Sequence, residues 1–237
     1  TDYYGNPSSM HSFGGQVGGM INTARQQVAR LLGCDPEEIV FTSCGTESDN
    51  LAVRGVAFDR RKRAQKNHII TSPIEHHAIG HTVEQLEAEF GFEATYVPVD
   101  RYGMVDPAEV EKAIRPDTAL ISIMYANNEV GTIEPIAQIG EIARAHKIPF
   151  HTDAVQAVGK LPIRVDNLNV DAMSASAHKF FGPKGVGFLY LRSGTPFLPY
   201  LTGGSHEGGR RAGTENVPFI AGMATALALA EAERIDE

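Results

Sequence analysis

Along this chain, short β-branched runs alternate with stretches of helical period, and that alternation limits the fold more than any single residue does. The runs are "EIVFT" (38–42), "HIIT" (68–71), 94–99, "TALISIMYAN" (118–127), "IPFHTDA" (148–154), "VDAMSAS" (170–176) and "GVGFLYL" (185–191). Between them the spacing predicts helices over 14–32, 46–66, 75–90, 106–114, 135–146 and 216–234. Pro107 sits at a favoured first-turn position of its helix. Strands joined by segments of crossover length predict an α/β fold, a mostly parallel sheet covered by helices on both faces. No internal repeat or low-complexity linker interrupts the pattern, so residues 1–237 read as one domain.

The bulk numbers remove several classes. The chain has 237 residues, 42% hydrophobic and 21% charged, enough for one sizeable core. Its net charge of −8 argues against nucleic acid, whose backbone attracts Lys and Arg. The basic run Arg60 to Arg63 ends a predicted helix, where cations suit the dipole. No apolar run approaches the roughly 20 residues of a membrane span. Two cysteines, Cys34 and Cys44, do not suggest a secreted disulfide scaffold. With no signal peptide read, a cytoplasmic protein is expected.

In a parallel sheet, ligands sit beyond the carboxyl ends of the strands. The polar segments there are "TSCGTESDN", "SPIEHHA", "YANNEVG", "HTDAVQ" and "SASAHK", and all five are expected on one rim. In "CGTES", Gly45 lets the backbone come close, and Thr46 adds a hydroxyl at a helix start, which suits a phosphate. Read alone, the same residues are an ordinary Thr N-cap with Glu47 in the first turn. Asp153 ends a core strand and is costly there unless a cation pairs with it. It is either a structural cap or the partner of a protonated ring nitrogen, with Gln156 one turn on. His76 stands where a ring can stack on a flat ligand. His77 and His81 have metal-ligand spacing but no third ligand, so no metal is expected. Asn127 and Asn128 are turn formers or donors to an anion.

Lys179 lies between His178 and two aromatics, Phe180 and Phe181. An ammonium on an apolar shelf loses solvation, which favours the neutral, nucleophilic amine. The aromatics are expected to keep it dry. Ser176 and His178 flank it to contact a phosphate. A phosphate cradle, a buried Asp, a stacking His and such a Lys together describe a site for pyridoxal 5'-phosphate.

At this point the sequence resembles the cysteine desulfurases of the NifS/IscS type, within the aminotransferase class V group. The resemblance runs from "YYGNPSSMHSFG" through "EIVFTSCGTESDNLAVRG", "IEHHA", "YANNEVGTIEPI", "FHTDAVQAVGKLPI" and "SASAHKFFGPKGVGFLY" to "GGSHEGGRRAGTENVPFIAG". It implies the large domain of a fold-type I pyridoxal-phosphate enzyme. It implies that Lys179 holds the cofactor and His76 stacks on its ring. Asp153 meets the ring nitrogen and Gln156 the phenolic oxygen. Gly45, Thr46, Ser176 and His178 hold the phosphate, and Asn128 lies near the phenolic oxygen and the substrate carboxylate. Thr214 reaches the phosphate of the other subunit in a homodimer. The implied reaction turns L-cysteine into L-alanine and a persulfide, whose sulfur passes to an acceptor or scaffold protein, as in iron–sulfur cluster assembly.

Some of the family's pattern is not found. Its persulfide cysteine and carboxylate-gripping arginine belong to a smaller C-terminal region, expected beyond Glu237. A short N-terminal stretch is likewise expected before Thr1. Cys44 stands where the family more often has Gly or Ser, and Gly208 where many relatives have Arg. The rival readings are a selenocysteine lyase or small-amino-acid aminotransferase on the same scaffold, and a cofactor-binding module without turnover. A Rossmann oxidoreductase fails for want of Gly-x-Gly-x-x-Gly after the first strand.

Overall fold

A computed structural model describes residues 12–234, so most of the opening motif "YYGNPSSMH" lies outside the described residues. Within them, one sheet contains β1 (Ile39–Thr42), β2 (His68–Thr71), β3 (Glu93–Tyr96), β4 (Thr118–Ser122), β5 (Phe150–Asp153), β6 (Ala172–Ser176) and β7 (Gly187–Leu191). Their spatial order is β1-β7-β6-β5-β4-β2-β3. Strands β3, β2, β4, β5 and β6 run parallel, while β7 is antiparallel to both β6 and β1. The link from β6 to β7 is too short for a crossover helix, so the chain must reverse. Two antiparallel steps then return the carboxyl end of β1 to the same rim as that of β6.

The helices are α1 (Ser12–Leu32), α2 (Gly45–Ala64), α3 (His77–Phe90), α4 (Pro107–Ala113), α5 (Ile136–Ala145), the one-turn α6 (Val165–Leu168) and α7 (Val217–Arg234). Among the described residues, none is long and apolar enough to cross a membrane. Each predicted helix is present, and α6 was not expected. Helix α3 starts at His77, not at 75, because the Glu75 carboxyl turns inward to accept from Ser72 Oγ (2.6 Å) and Met124 N–H (3.0 Å). The strand expected over 118–127 stops at Ser122. Beyond it, Asn127 Oδ1 accepts from Glu129 and Val130 N–H and folds the chain into a turn.

Side chains alternate across the sheet, so each strand serves two cores. Ile39, Phe41, Ile121, Phe150, Met173, Phe188 and Tyr190 pack with α1, α5 and α7. The opposite face meets α2 and α3 in two separate apolar clusters. One joins Val53, Val56, Ile79 and Val83 to Ile69 and Leu120. The other joins Leu51 and Ala52 to Val40, Ala172 and Leu189.

Candidate active site

All five rim segments open on one cleft of about 210 Å³. Gly45, Thr46, His76, Asn128, Asp153, Gln156, Ser176, His178 and Lys179 all line it. Thr214 does not. It is exposed and lines a separate depression with Thr42, Arg211 and Glu215.

The head of α2 forms one wall. Its N-cap is Cys44, whose Sγ accepts from Glu47 N–H at 3.4 Å. The Thr46 cap considered from sequence is therefore replaced by a cysteine cap, and Thr46, one residue inside the helix, is exposed at the cleft. Helix starts leave backbone N–H groups without intrahelical partners, and those groups attract anions. A Cβ on Gly45 would come 2.7 Å from Val155 Cγ2 and 3.3 Å from Ser176 Cβ, so only glycine lets α2 sit this low. Gly187 serves the same packing, since a Cβ there would lie 2.9 Å from the Cys44 carbonyl carbon. Ser176 Oγ lies 2.9 Å from His178 Nδ1. Burial and the neighbouring Lys179 and Lys184 push the His178 imidazolium below its usual range, so the ring is neutral at pH 7.

Asp153 forms the floor. It is 5% exposed, and its Oδ1 accepts from Val155 N–H at 2.9 Å. Burial raises its carboxyl above the usual range, while that hydrogen bond, His76 and Lys179 pull it back. His76 caps α3: its Nδ1 accepts from Ala78 N–H at 3.0 Å. That bond leaves the ring proton on Nε2 of the neutral imidazole. Nitrogen and oxygen atoms of Asp49, His76 and Asp153 lie within 4.8 Å of one another. The three have metal-donor chemistry, but a protonated Nε2 is a hydrogen-bond donor, not a ligand.

Lys179 is half-buried in a 3-10 turn, Ala177–Phe180, that directly follows β6. Phe180 is buried in the core behind it. Phe181 is not: its backbone is left-handed (φ 62°) and its side chain is 96% exposed. The expectation that both aromatics keep Lys179 dry therefore fails for Phe181. The tight turn turns Phe181 outward. Gln156 Oε1 accepts from Lys160 Nζ at 3.1 Å, and Asn128 Nδ2 donates to Glu129 Oε1 at 3.0 Å.

Sequence reasoning missed Asp49 and Glu75. Burial raises the Glu75 carboxyl to about 8, and its Oε2 has no hydrogen-bond partner. No local signal marks Asp49, which reads as one more polar residue on a long helix. The loop carrying Thr214 is tied to the cleft wall from outside, since Arg211 donates to both oxygens of Glu47 (2.6 and 3.2 Å). Glu207 anchors the same loop: it is 4% exposed, takes Arg25 Nη2 at 2.7 Å, and accepts from Phe41 N–H at 2.9 Å. The next residue, Gly208, has φ 65°, a conformation that costs an arginine more than a glycine.

The aminotransferase class-V family matches residues 1–237. The chain belongs to that family. Class V enzymes and their cysteine desulfurase members depend on pyridoxal phosphate. Among curated class V relatives, this chain is 57% identical over 233 residues to a cysteine desulfurase IscS of Methanosarcina thermophila. That match covers 98% of this chain and 57% of the relative. It is 54% identical over 240 residues to the enzyme of the same name from Dictyoglomus turgidum, covering 99% and 60%. The chain thus spans less than two thirds of the length of these relatives. Among solved class V structures, a NifS-like protein superposes with a TM-score of 0.95 at 47% identity, over 99% of this chain and 64% of that one. SspA in complex with cysteine superposes with a TM-score of 0.92 at 44% identity, over 96% and 65%. The mostly parallel sheet is thus the fold-type I architecture of pyridoxal-phosphate cysteine desulfurases.

Proposed function

We propose that this chain is the cofactor-binding domain of a cysteine desulfurase, taking sulfur from L-cysteine and releasing L-alanine. The observation that supports it best is the gathering of Gly45, Thr46, His76, Asp153, Gln156, Ser176, His178 and Lys179 on one cleft. The residues fit pyridoxal phosphate. The glycine-floored start of α2 with Thr46, Ser176 and neutral His178 suits a phosphate. Buried Asp153 suits a ring nitrogen that must stay protonated, and Lys179 supplies the amine for the aldehyde. When bound, the cofactor serves as an electron sink for the substrate's α-carbon.

The chain's own groups do the rest. Asp153 holds the proton on the ring nitrogen. His76 presents a ring face and its Nε2–H. The amides of Gln156 and Asn128 orient oxygens at the rim. Phe180 closes the protein side behind Lys179, whose amine is placed to carry the α-proton. In the overall reaction the cysteine C–S bond breaks, a thiol takes the sulfur as a persulfide, and alanine keeps the carbon skeleton. Exposed Thr214 lies outside its own cleft, which suits reach into the cleft of a second subunit in a homodimer. Two free cysteines suit a reducing, cytoplasmic place, with a sulfur-acceptor protein such as an iron–sulfur scaffold as partner.

The test begins with pyridoxal phosphate, borohydride reduction and peptide mapping, which should place the label on Lys179. Label on Lys184 or Lys160 would sink the site. Incubation of the full-length protein with L-cysteine should then give alanine and sulfide under reductant. A keto acid product would mean an aminotransferase instead.

A further inference from the structure

Asp49 lies in the second turn of α2, is 1% exposed, and lines the cleft. Its Oδ1 has no hydrogen-bond partner. Elsewhere on the same side, α2 meets the sheet through Leu51, Ala52, Val53 and Val56, so a carboxyl here is not required for packing. Beneath Asp49 runs a polar row across three strands: Ser122 on β4, His151 on β5 and Ser174 on β6, each 0% exposed. Ser122 Oγ lies 2.9 Å from His151 Nδ1, and Ser174 Oγ 2.9 Å from His151 Nε2. That Nε2 is 3.7 Å from Asp49 Oδ1.

The titratable groups facing Asp49 are Asp153 and His151 from β5, Glu75 and His76 from the turn before α3, and Cys44 from its own helix. None is a fixed cation, and Lys179 faces Asp153 instead. Burial lowers the His151 imidazolium to about 3, so the ring beneath is neutral. Burial, and then the Asp153 charge, hold the Asp49 carboxyl well above its usual range, while a hydrogen bond with Ser174 pulls it partly back. Two carboxylates this close in a dry site cannot both stay ionised without a cation between them.

We propose that Asp49 is a positioning residue acting as a neutral acid: seated on the Ser122–His151–Ser174 row, it stands against Asp153 so that the cleft presents one anion to the cofactor ring instead of two. This rests on the pyridoxal-phosphate reading. A cleft with two anions suits a divalent cation. A cleft with one matches the single positive charge of a protonated ring. A neutral acid also has an O–H, whose positive end steadies the Asp153 carboxylate.

Two measurements test this. First, the cofactor-free protein at pH 7 should show the infrared C=O stretch of a protonated carboxyl, moved by deuteration, in the difference between wild type and Asp49→Asn. The Glu75 contribution cancels in that difference. Absence of the band overturns the proposal. Second, the proteins are titrated with ring-¹⁵N pyridoxal phosphate. Asp49→Leu keeps the size and removes the donor, and should weaken binding about tenfold and move the ring-nitrogen signal toward the unprotonated position. Asp49→Asn keeps a donor without a charge, and should restore both. Asparagine as damaging as leucine would show a charged Asp49, and no change in either variant would show an idle one; both overturn the proposal. If the leucine variant does not fold, the infrared band and the asparagine variant decide. Failure of the wild type and every variant alike to take up pyridoxal phosphate would sink the cofactor reading, and this proposal with it.

Discussion

Under α1, α5 and α7, the sheet presents Phe41, Tyr190, Met173, Phe150 and Ile121 in one continuous apolar cluster. Under α2 the same strands present Ser122, His151, Ser174 and Asp153 between two apolar clusters. One face holds the sheet together. The other gives up part of that packing to keep hydrogen-bonded, titratable groups dry beneath a cleft. Stability therefore resides mainly on the first face and chemistry on the second, and four experiments separate the two.

The largest effect should come from the apolar face. Phe150 is 0% exposed, and Phe150→Ala should cost about 3–5 kcal/mol in urea unfolding, since both contacts and a cavity are involved. A loss below about 1 kcal/mol would mean that this face is not the main support. Next is the polar face. Asp153→Asn should leave folding stability nearly unchanged, yet slow α-proton exchange of a bound amino acid at least about a hundredfold. Near-normal exchange, followed by NMR in heavy water, would show Asp153 to be structural.

The third experiment uses pH. Burial pushes the Glu75 carboxyl from its ordinary 4.5 up to about 8 in the fold, so the folded state binds the extra proton. Its contribution is complete below the unfolded value and is lost as pH rises through about 8. His151, lowered to about 3, acts in the opposite sense: its contribution is present above pH 6.5 and lost as pH falls. Between pH 6.5 and 8 Glu75 adds about 2 kcal/mol to the loss that the raised Asp49 carboxyl also causes in the cofactor-free protein. Glu75→Gln should remove the Glu75 share and leave a shallower slope in thermal scans. An unaltered slope would assign it elsewhere. The smallest effect belongs to the cap at the cleft. Cys44→Ala should cost about 1 kcal/mol in urea unfolding, and Cys44→Ser should recover most of it. Equal stability of the two variants would mean that the 3.4 Å contact to Glu47 N–H contributes nothing.

Much of the site is legible in the chain because it is local. Gly45 and Thr46 open a helix after a strand, Asp153 ends an apolar run, and Lys179 follows β6 by a single turn. The segment ends are less legible. The Asn127 turn stops β4 early, and Glu75 turns inward and delays α3, because side-chain hydrogen bonds outcompete the local pattern there.

The alternation of β-branched runs and helical periods by itself determined a mostly parallel sheet with polar strand ends on one rim, because both periods are set by neighbouring residues. The tertiary structure decided the rest. The reversal of β7, the exposure of Phe181 and the cysteine cap on α2 all depend on how segments meet. So does the place of Asp49. Pairing Ser122 with His151 and Asp153 with Ser174 puts side chains from three strands on one face, and the seating of α2 drops a fourth onto them. No local pattern encodes that meeting, since strand register and helix seating are fixed by burial of the whole apolar surface at once.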